Sequence, residues 1–336
     1  MKLLFELLRI ALRRQDTLTC VPSQAEWFAA CNMAKEHDVT GITFDGVRRL
    51  KEAGAQSVSE LDELLMLKWT GRALKIEEGN SGMSRRSELA VARLEEAGYD
   101  AVLLKGSSLL MYYPQHLRQL RGLGDIDVWC RKKANCSDVT PDVYDYVRSL
   151  CPEAKGGYLH IGLPAFSETD VEVHVRPCYL NNPWRNRRLQ RWCEGLDLRL
   201  LKDDGDERLA FDATFLMLHT FKHYVKGEMN LKQLMDCYMV MKRLELSARR
   251  REVEDRLASF GIRRFCQELS EVNGHIFETK DCEASHARTM LDELAAGMKR
   301  QQTLGGKAGR FVRMSLYYPA EVLFWPWAAL TRNRRE

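Results

Sequence analysis

No Cys-x-x-Cys pair occurs in this 336-residue chain, although it carries ten cysteines: Cys20, Cys31, Cys130, Cys136, Cys151, Cys178, Cys193, Cys237, Cys266 and Cys282. Without that spacing there is no zinc ribbon and no paired redox motif to read. Cysteines scattered singly act as small apolar residues and suit a reducing compartment. Long hydrophobic runs are missing too. The stretch Leu316 to Leu330 is interrupted by Pro319, Glu321 and Pro326, and it falls short of the roughly 18 apolar residues a membrane span needs. Met1 to Arg14 is apolar, but its basic residues stand at the wrong end for a secretory signal and no small-residue cleavage site follows. It reads as an amphipathic helix, with attachment to a membrane surface as the lesser alternative. Neither charge sign dominates: the net charge of +4 is too mild to argue for nucleic acid by itself. Repeats and low-complexity segments are absent. These absences point to a cytoplasmic globular protein, long enough for two or three sub-domains at about 150 residues each. Its 45% hydrophobic content is enough for a sizeable core.

Strand-like sequence is confined to one part of the chain. The first hundred residues read as helical: Trp27, Phe28, Cys31 and Ala34 recur at helical spacing between Gln24 and Asp38. Ser57-Val58-Ser59-Glu60 resembles a capping box. It opens an element expected to run towards Gly98 with one interruption near Gly79 to Gly82. Strands cluster between Ala101 and Val175, with a helix from about Asp138 to Leu150 among them. From Arg208 the pattern is helical again, broken by Gly227, Gly261 and Gly305-Gly306. The expected architecture is α+β, a small mixed sheet set between helical segments: a helical segment over 1–98, an α/β core over 99–200 and a helical domain over 201–336.

The chemistry is concentrated in that core. Lys105-Gly106-Ser107-Ser108 follows an apolar strand, Ala101 to Leu104, and Gly124-Asp125-Ile126-Asp127-Val128 places two carboxylates at i, i+2 in a second one. Alternate strand side chains share a face, so Asp125 and Asp127 stand about 7 Å apart on one side. They repel unless a cation lies between them. A divalent metal is the usual answer, because Mg²⁺ takes oxygen from one or two carboxylates together with substrate phosphates. A solvated strand face is the plainer reading of Asp-x-Asp alone. A third strand weighs against it: in Asp170-Val171-Glu172-Val173-His174-Val175 the valines take one face while Asp170, Glu172 and His174 line the other.

This order of elements resembles the nucleotidyltransferase superfamily with the polymerase-beta-like core. More closely, it is similar to a largely uncharacterised bacterial branch of that superfamily. The resemblance spans roughly residues 24 to 240 and rests on Leu104-Lys105-Gly106-Ser107, Tyr112-Tyr113-Pro114, Arg121, Asp125-Ile126-Asp127, Val171-Glu172-Val173-His174, His219, His223 and Asp236. Two departures limit what it says of the substrate. Seventeen residues separate Ser107 from Asp125, and Val175 stands where an aromatic is expected.

The resemblance implies that Asp125 and Asp127 hold one or two Mg²⁺ (or Mn²⁺) ions bridging the triphosphate of a nucleoside triphosphate. Glu172 completes the second metal site or deprotonates the attacking hydroxyl. Asp170 is its rival, but Glu172 is flanked by valines and sits inside the strand. Gly106 lets backbone approach phosphate, and the amides of Ser107 and Ser108 open a helix whose N-terminus favours an anion. Lys105 and Arg121 are phosphate contacts or, alternatively, salt bridges back onto the aspartates. His174 joins the nucleotide site. His219 and His223, at i, i+4, share a helix face with Lys222 beside them. The resemblance suggests that this helical half closes over the metal face, so that His223 or Lys222 meets phosphate and Asp236 orients one of them; a metal on the histidine pair is the less favoured reading.

The run Trp184-Arg185-Asn186-Arg187-Arg188-Leu189-Gln190-Arg191-Trp192 suits a charged acceptor, although a solvated helix face with both tryptophans anchored in the core is preferred. The tail Arg332-Asn333-Arg334-Arg335 reads as frayed. Three functions compete. The first is transfer of a nucleoside monophosphate to a hydroxyl on a protein, an RNA end or a small molecule. The second is a non-catalytic nucleotide-binding or scaffold protein that keeps the fold. The third is a metal-dependent phosphohydrolase, for which only His174 stands near the acids as a histidine ligand.

Overall fold

The computed structural model describes residues 1–59, 61–134, 140–163, 170–297, 303–326 and 328. Helix α1 (Lys2–Ala11) buries Leu4, Leu7, Leu8 and Ile10, so its apolar face serves the core rather than a membrane surface. Helix α2 (Gln24–Glu36) opens on a capping box between Ser23 and Glu26 and buries Trp27, Cys31 and Ala34, while Phe28 faces solvent. Helix α3 (Thr40–Glu52) lies against α1, and a Cβ at Gly46 would come within 2.3 Å of the Leu7 carbonyl oxygen. Glycine is required there because nothing larger lets the two backbones meet. A short α4 (Gln56–Ser59) follows. The capping box expected at Ser57 to Glu60 includes Glu60, which lies outside the described residues.

Helix α5 (Glu63–Glu96) starts instead from Asp62, whose side chain accepts the Leu65 amide at 2.8 Å. It runs 34 residues without the interruption expected at Gly79 to Gly82. Each glycine costs the helix roughly 1 kcal/mol relative to alanine. The neighbourhood offsets that cost: buried Asn80 donates to the carbonyls of Gln119 and Arg121 and accepts the Leu123 amide. The helix thereby holds the segment that leads into Asp125.

The sheet contains β1 (Tyr99–Leu103), β2 (Ile126–Lys132), β3 (His160–Leu163) and β4 (Val171–His174), in the order β1-β2-β4-β3. Strands β2 and β4 are parallel and the outer pairs are antiparallel, which makes the sheet mixed and the fold α+β. One face is aliphatic. Ala101, Ile126, Val128, Val171, Val173 and Ile161 pack there with Leu94 of α5 and with Val143 and Val147 of α6 (Val143–Leu150). Helix α6 is capped by Asp142; Asp138, near which a helix was expected to begin, lies outside the described residues.

The other face meets the C-terminal helices. These are α7 (Pro183–Glu194), α8 (Asp206–Lys226), α9 (Leu231–Leu244), α10 (Arg250–Ser259), α11 (Arg263–Glu278) and α12 (Ser285–Ala296). Trp129 of β2 stacks on Phe211 of α8 with ring centroids 5.6 Å apart, which sets α8 over this face. Gly227, at φ 79°, ends α8, and Gly261 closes α10 in the same left-handed conformation. Gly305 and Gly306 do not break a helix. They lie in the first turn of one over Leu304–Tyr317, where Thr303 accepts the Gly306 amide. One hydrophobic core runs from Leu4 of α1 through Val102 and Trp129 of the sheet to Val322. Among the described residues, no helix is long and apolar enough to cross a membrane.

Candidate active site

The register of the sheet assembles the site. Asp127 of β2 pairs with Glu172 of β4, and His174 of β4 pairs with His160 of β3. Since alternate residues share a face, Asp127, Glu172, His174 and His160 project on the side opposite the valines. Asp125 stands one residue before β2 and is exposed, rather than inside the strand as expected. Asp170 likewise lies outside β4; its carbonyl accepts the Ile126 amide, which ties the two strand entrances together.

The carboxylates are answered by cations of the protein. Lys105 Nζ lies 2.9 Å from Asp127 Oδ2, and His174 Nε2 lies 3.1 Å from Asp127 Oδ1. Burial disfavours the Lys105 ammonium, but Asp127, with help from Asp125 and Glu172, outweighs it and raises the lysine above its usual range. Burial works against the Asp127 anion as well. The His174 hydrogen bond and the Lys105 charge prevail and hold Asp127 down to about 2. Glu172 Oε2 is 3.3 Å from both His174 Nε2 and His160 Nδ1. The His174 hydrogen bond lowers the Glu172 pKa. Asp125 moves the other way: partial desolvation of its carboxyl, in a residue otherwise exposed, raises it, Lys105 opposes, and Asp127 and Glu172 add to the rise.

The turn between β1 and β2 closes one side. Gly106 has φ 77°, a left-handed conformation that disfavours a side chain, and from it springs a 3-10 helix over Gly106–Tyr112. The hydroxyls of Ser107 and Ser108 are buried and make no hydrogen bond. Buried polar atoms are rarely left so, and two at the head of a glycine turn suit an oxygen-rich ligand. On α8, His219 and His223 have ring centroids 4.5 Å apart. Burial, then His223, then Lys105 push His219 well below its usual range. Burial takes His223 to about 4 against Glu228, which stands 3.3 Å away. Lys222 sits 4.2 Å from the Tyr179 ring centroid.

Arg121 bonds to neither Asp125 nor Asp127. Its fork clasps Asp236 of α9, with Nε 3.1 Å from Oδ1 and Nη2 2.6 Å from Oδ2, and the Tyr113 hydroxyl donates to the same Oδ1 at 2.6 Å. Both partners of the ion pair are buried. Asp236 therefore orients neither His223 nor Lys222. It closes a clamp that fixes the turn between β1 and β2 to the C-terminal helices. Tyr112 adds a second tie by donating to Asp212, which also accepts from Arg208. Of the tryptophans flanking the basic run, Trp192 is anchored against Phe211 and Phe260, whereas Trp184 is 70% exposed.

His160 went unread in the sequence. The alternation of His160-Ile161-Gly162-Leu163 puts it on a polar face, but only strand pairing sets it across from His174. One ligand atom each from His160, Glu172 and His174 lies within 4.8 Å of the others, a group able to hold a metal ion. No curated protein and no solved structure matches the chain. A family model described as an uncharacterised nucleotidyltransferase matches residues 23–278, most of the chain's length and all of the elements that build the site. The chain belongs to that nucleotidyltransferase family and is a transferase by that membership.

Proposed function

We propose that the protein is a divalent-metal-dependent nucleotidyltransferase that moves a nucleoside monophosphate from a nucleoside triphosphate to a hydroxyl acceptor on a protein, an RNA end or a small molecule. The register that sets Asp127 beside Glu172, with Asp125 one step away, carries the reading. What supports a metal there is the pairing of Asp127 with Glu172, the charge of Asp125 acting on both, and the buried Ser107 and Ser108 hydroxyls, which make no hydrogen bond. Asp125, Asp127 and Glu172 would hold the ion or ions, with Lys105 displaced from Asp127 towards phosphate. Bound divalent ions supply charge stabilisation for the attacking and leaving oxygens of an in-line displacement.

The chain's own residues supply the rest, which in this chemistry is mainly positioning and electrostatics. The Gly106 turn brings backbone and the Ser107 and Ser108 hydroxyls to the phosphates. Lys105, and Lys222 and His223 on α8, provide positive or hydrogen-bonding groups. The acceptor oxygen bonds to the α-phosphorus, the bond from that phosphorus to the β-bridging oxygen breaks, and pyrophosphate leaves. The acceptor's proton passes to a carboxylate. Glu172, partly exposed and paired across the sheet with Asp127, is placed for that task where it does not complete the metal site.

A second reading also has an observation behind it. Lys105 and His174 already neutralise Asp127, so the fold is electrostatically complete as a nucleotide-binding or scaffold protein. Thermal shift with each of the four nucleoside triphosphates, with and without Mg²⁺, separates the two when followed by release of labelled pyrophosphate. A ligand at about 100 times its Kd stabilises by roughly 2.7 kcal/mol. The expected result is a Mg²⁺-dependent shift and turnover, with turnover abolished in Asp125→Asn and Asp127→Asn. Asp125→Asn should keep the wild-type melting temperature, because that acid is exposed. Full turnover in both variants would sink the assignment. Nucleotide binding without turnover for any acceptor would favour the scaffold.

A further inference from the structure

The metal-facing side of the sheet holds more nitrogen than a magnesium site needs. His160 and His174 are directly paired across β3 and β4, and Glu172 lies two residues back on the same face. Glu172 Oε2 stands 3.3 Å from His160 Nδ1 and 3.3 Å from His174 Nε2. Ligand atoms bound to one ion by bonds of about 2.1 Å lie about 3.0 Å apart in octahedral and about 3.4 Å apart in tetrahedral coordination. The two edges that meet at Glu172 therefore have the spacing of a coordination shell, and all three ligand atoms lie within 4.8 Å of one another.

Two further features fit. His160 Nδ1 is buried and makes no hydrogen bond. The other nitrogen of His174, Nδ1, lies 3.4 Å from the Arg176 carbonyl. Once Nε2 gives up the proton it now shares with Asp127 and Glu172, an acceptor at that place would hold the imidazole in the tautomer that presents Nε2 to a metal. We propose that His160, Glu172 and His174 form a two-histidine, one-carboxylate site for a first-row transition-metal ion such as Co²⁺ or Zn²⁺, adjoining the Asp125–Asp127 pair. The proposal rests on the reading of this face as a metal face and deepens it by naming the donor chemistry. Imidazole ligands select such ions over Mg²⁺, which prefers oxygen alone. Asp127 Oδ1, 3.1 Å from His174 Nε2, marks the border between the two sites.

The test is a titration of the full-length protein with Co²⁺ in the absence of nucleotide, followed by visible absorption, beside the same titration with Mg²⁺ followed by calorimetry. One equivalent of Co²⁺ should give an absorption band more intense than that of the hexaaqua ion and bind more tightly than Mg²⁺. His160→Gln should weaken Co²⁺ binding by at least about tenfold and narrow its advantage over Mg²⁺. His160→Asn is read alongside, with circular dichroism showing which variant keeps the fold. A wild-type spectrum that stays aqua-like, or equal Co²⁺ affinity in a folded His160 variant, overturns the site. Because nucleotide is left out, that failure is distinct from failure of the transferase reading, which shows instead as the absence of any Mg²⁺-dependent nucleotide shift.

Discussion

A buried carboxylate stays charged only where a cation or several donors answer it, and two aspartates in this chain are answered differently. Asp127 meets Lys105 and His174, groups that a ligand could displace because Lys105 remains partly exposed. Asp236 meets Arg121 and Tyr113 in a closed interior. Removing one partner of such a buried pair costs about 3–5 kcal/mol, while replacing both with apolar groups is far less damaging. Asp236→Asn is therefore expected to lose several kcal/mol in urea denaturation, and Asp236→Leu with Arg121→Met to recover much of the loss. If the double variant were as unstable as the sum of the single changes, the clamp would not be a coupled unit. Arg121 invited a phosphate role because it precedes Asp125 in the chain, but its true partner lies 115 residues away. Sequence proximity could not reveal that distance.

At the scale of elements, local preference and tertiary contact disagree most clearly in α5. Gly71 and Gly79 face open space in a continuous helix, and a Cβ at either would touch nothing within 4 Å. Gly79→Ala should therefore raise stability by about 0.5–1 kcal/mol, read as a higher denaturation midpoint. Gly46→Ala should lower it, since its Cβ would meet the Leu7 carbonyl oxygen at 2.3 Å and force α1 away from α3. A loss of stability in Gly79→Ala would mean that the glycine serves a bend after all. The two glycines look alike in sequence. One sits between packed helices and the other at the surface, so only the packing gives them opposite signs.

Over the whole molecule, several histidines are buried in the neutral form. Burial lowers the pKa of His37, and His219 lies well below the usual range for the same reason, reinforced by His223. In the unfolded chain these groups titrate near pH 6.5. Below that pH the unfolded state binds more protons, so their contribution is intact above about pH 6.5 and is lost as the pH falls. His174 has the opposite sign: raised by Asp127 and Glu172 against burial, it stabilises most fully below pH 6.5 and loses that contribution as the pH climbs through its folded value. Comparing the wild type with His37→Gln cancels the His174 part. Between pH 7.5 and 5.5 the wild type should lose more stability than the variant, by up to about 1.4 kcal/mol for each pH unit below 6.5. Parallel pH profiles would show that His37 is not held neutral by the fold.

The sequence by itself determined the α+β class and the place of the strands, expected between Ala101 and Val175 and found between Tyr99 and His174, and it put forward Asp125, Asp127 and Glu172 as candidate acids beside the left-handed turn at Gly106. Each of these is written in local terms: a period of two, a glycine at a left-handed turn, apolar residues alternating with polar ones. The tertiary structure decided which groups meet. It set Asp127 opposite Glu172 through a parallel pairing, brought His160 across from His174, and turned Arg121 inward to Asp236. Strand register and helix docking depend on buried area summed over distant segments, and no local pattern carries that sum.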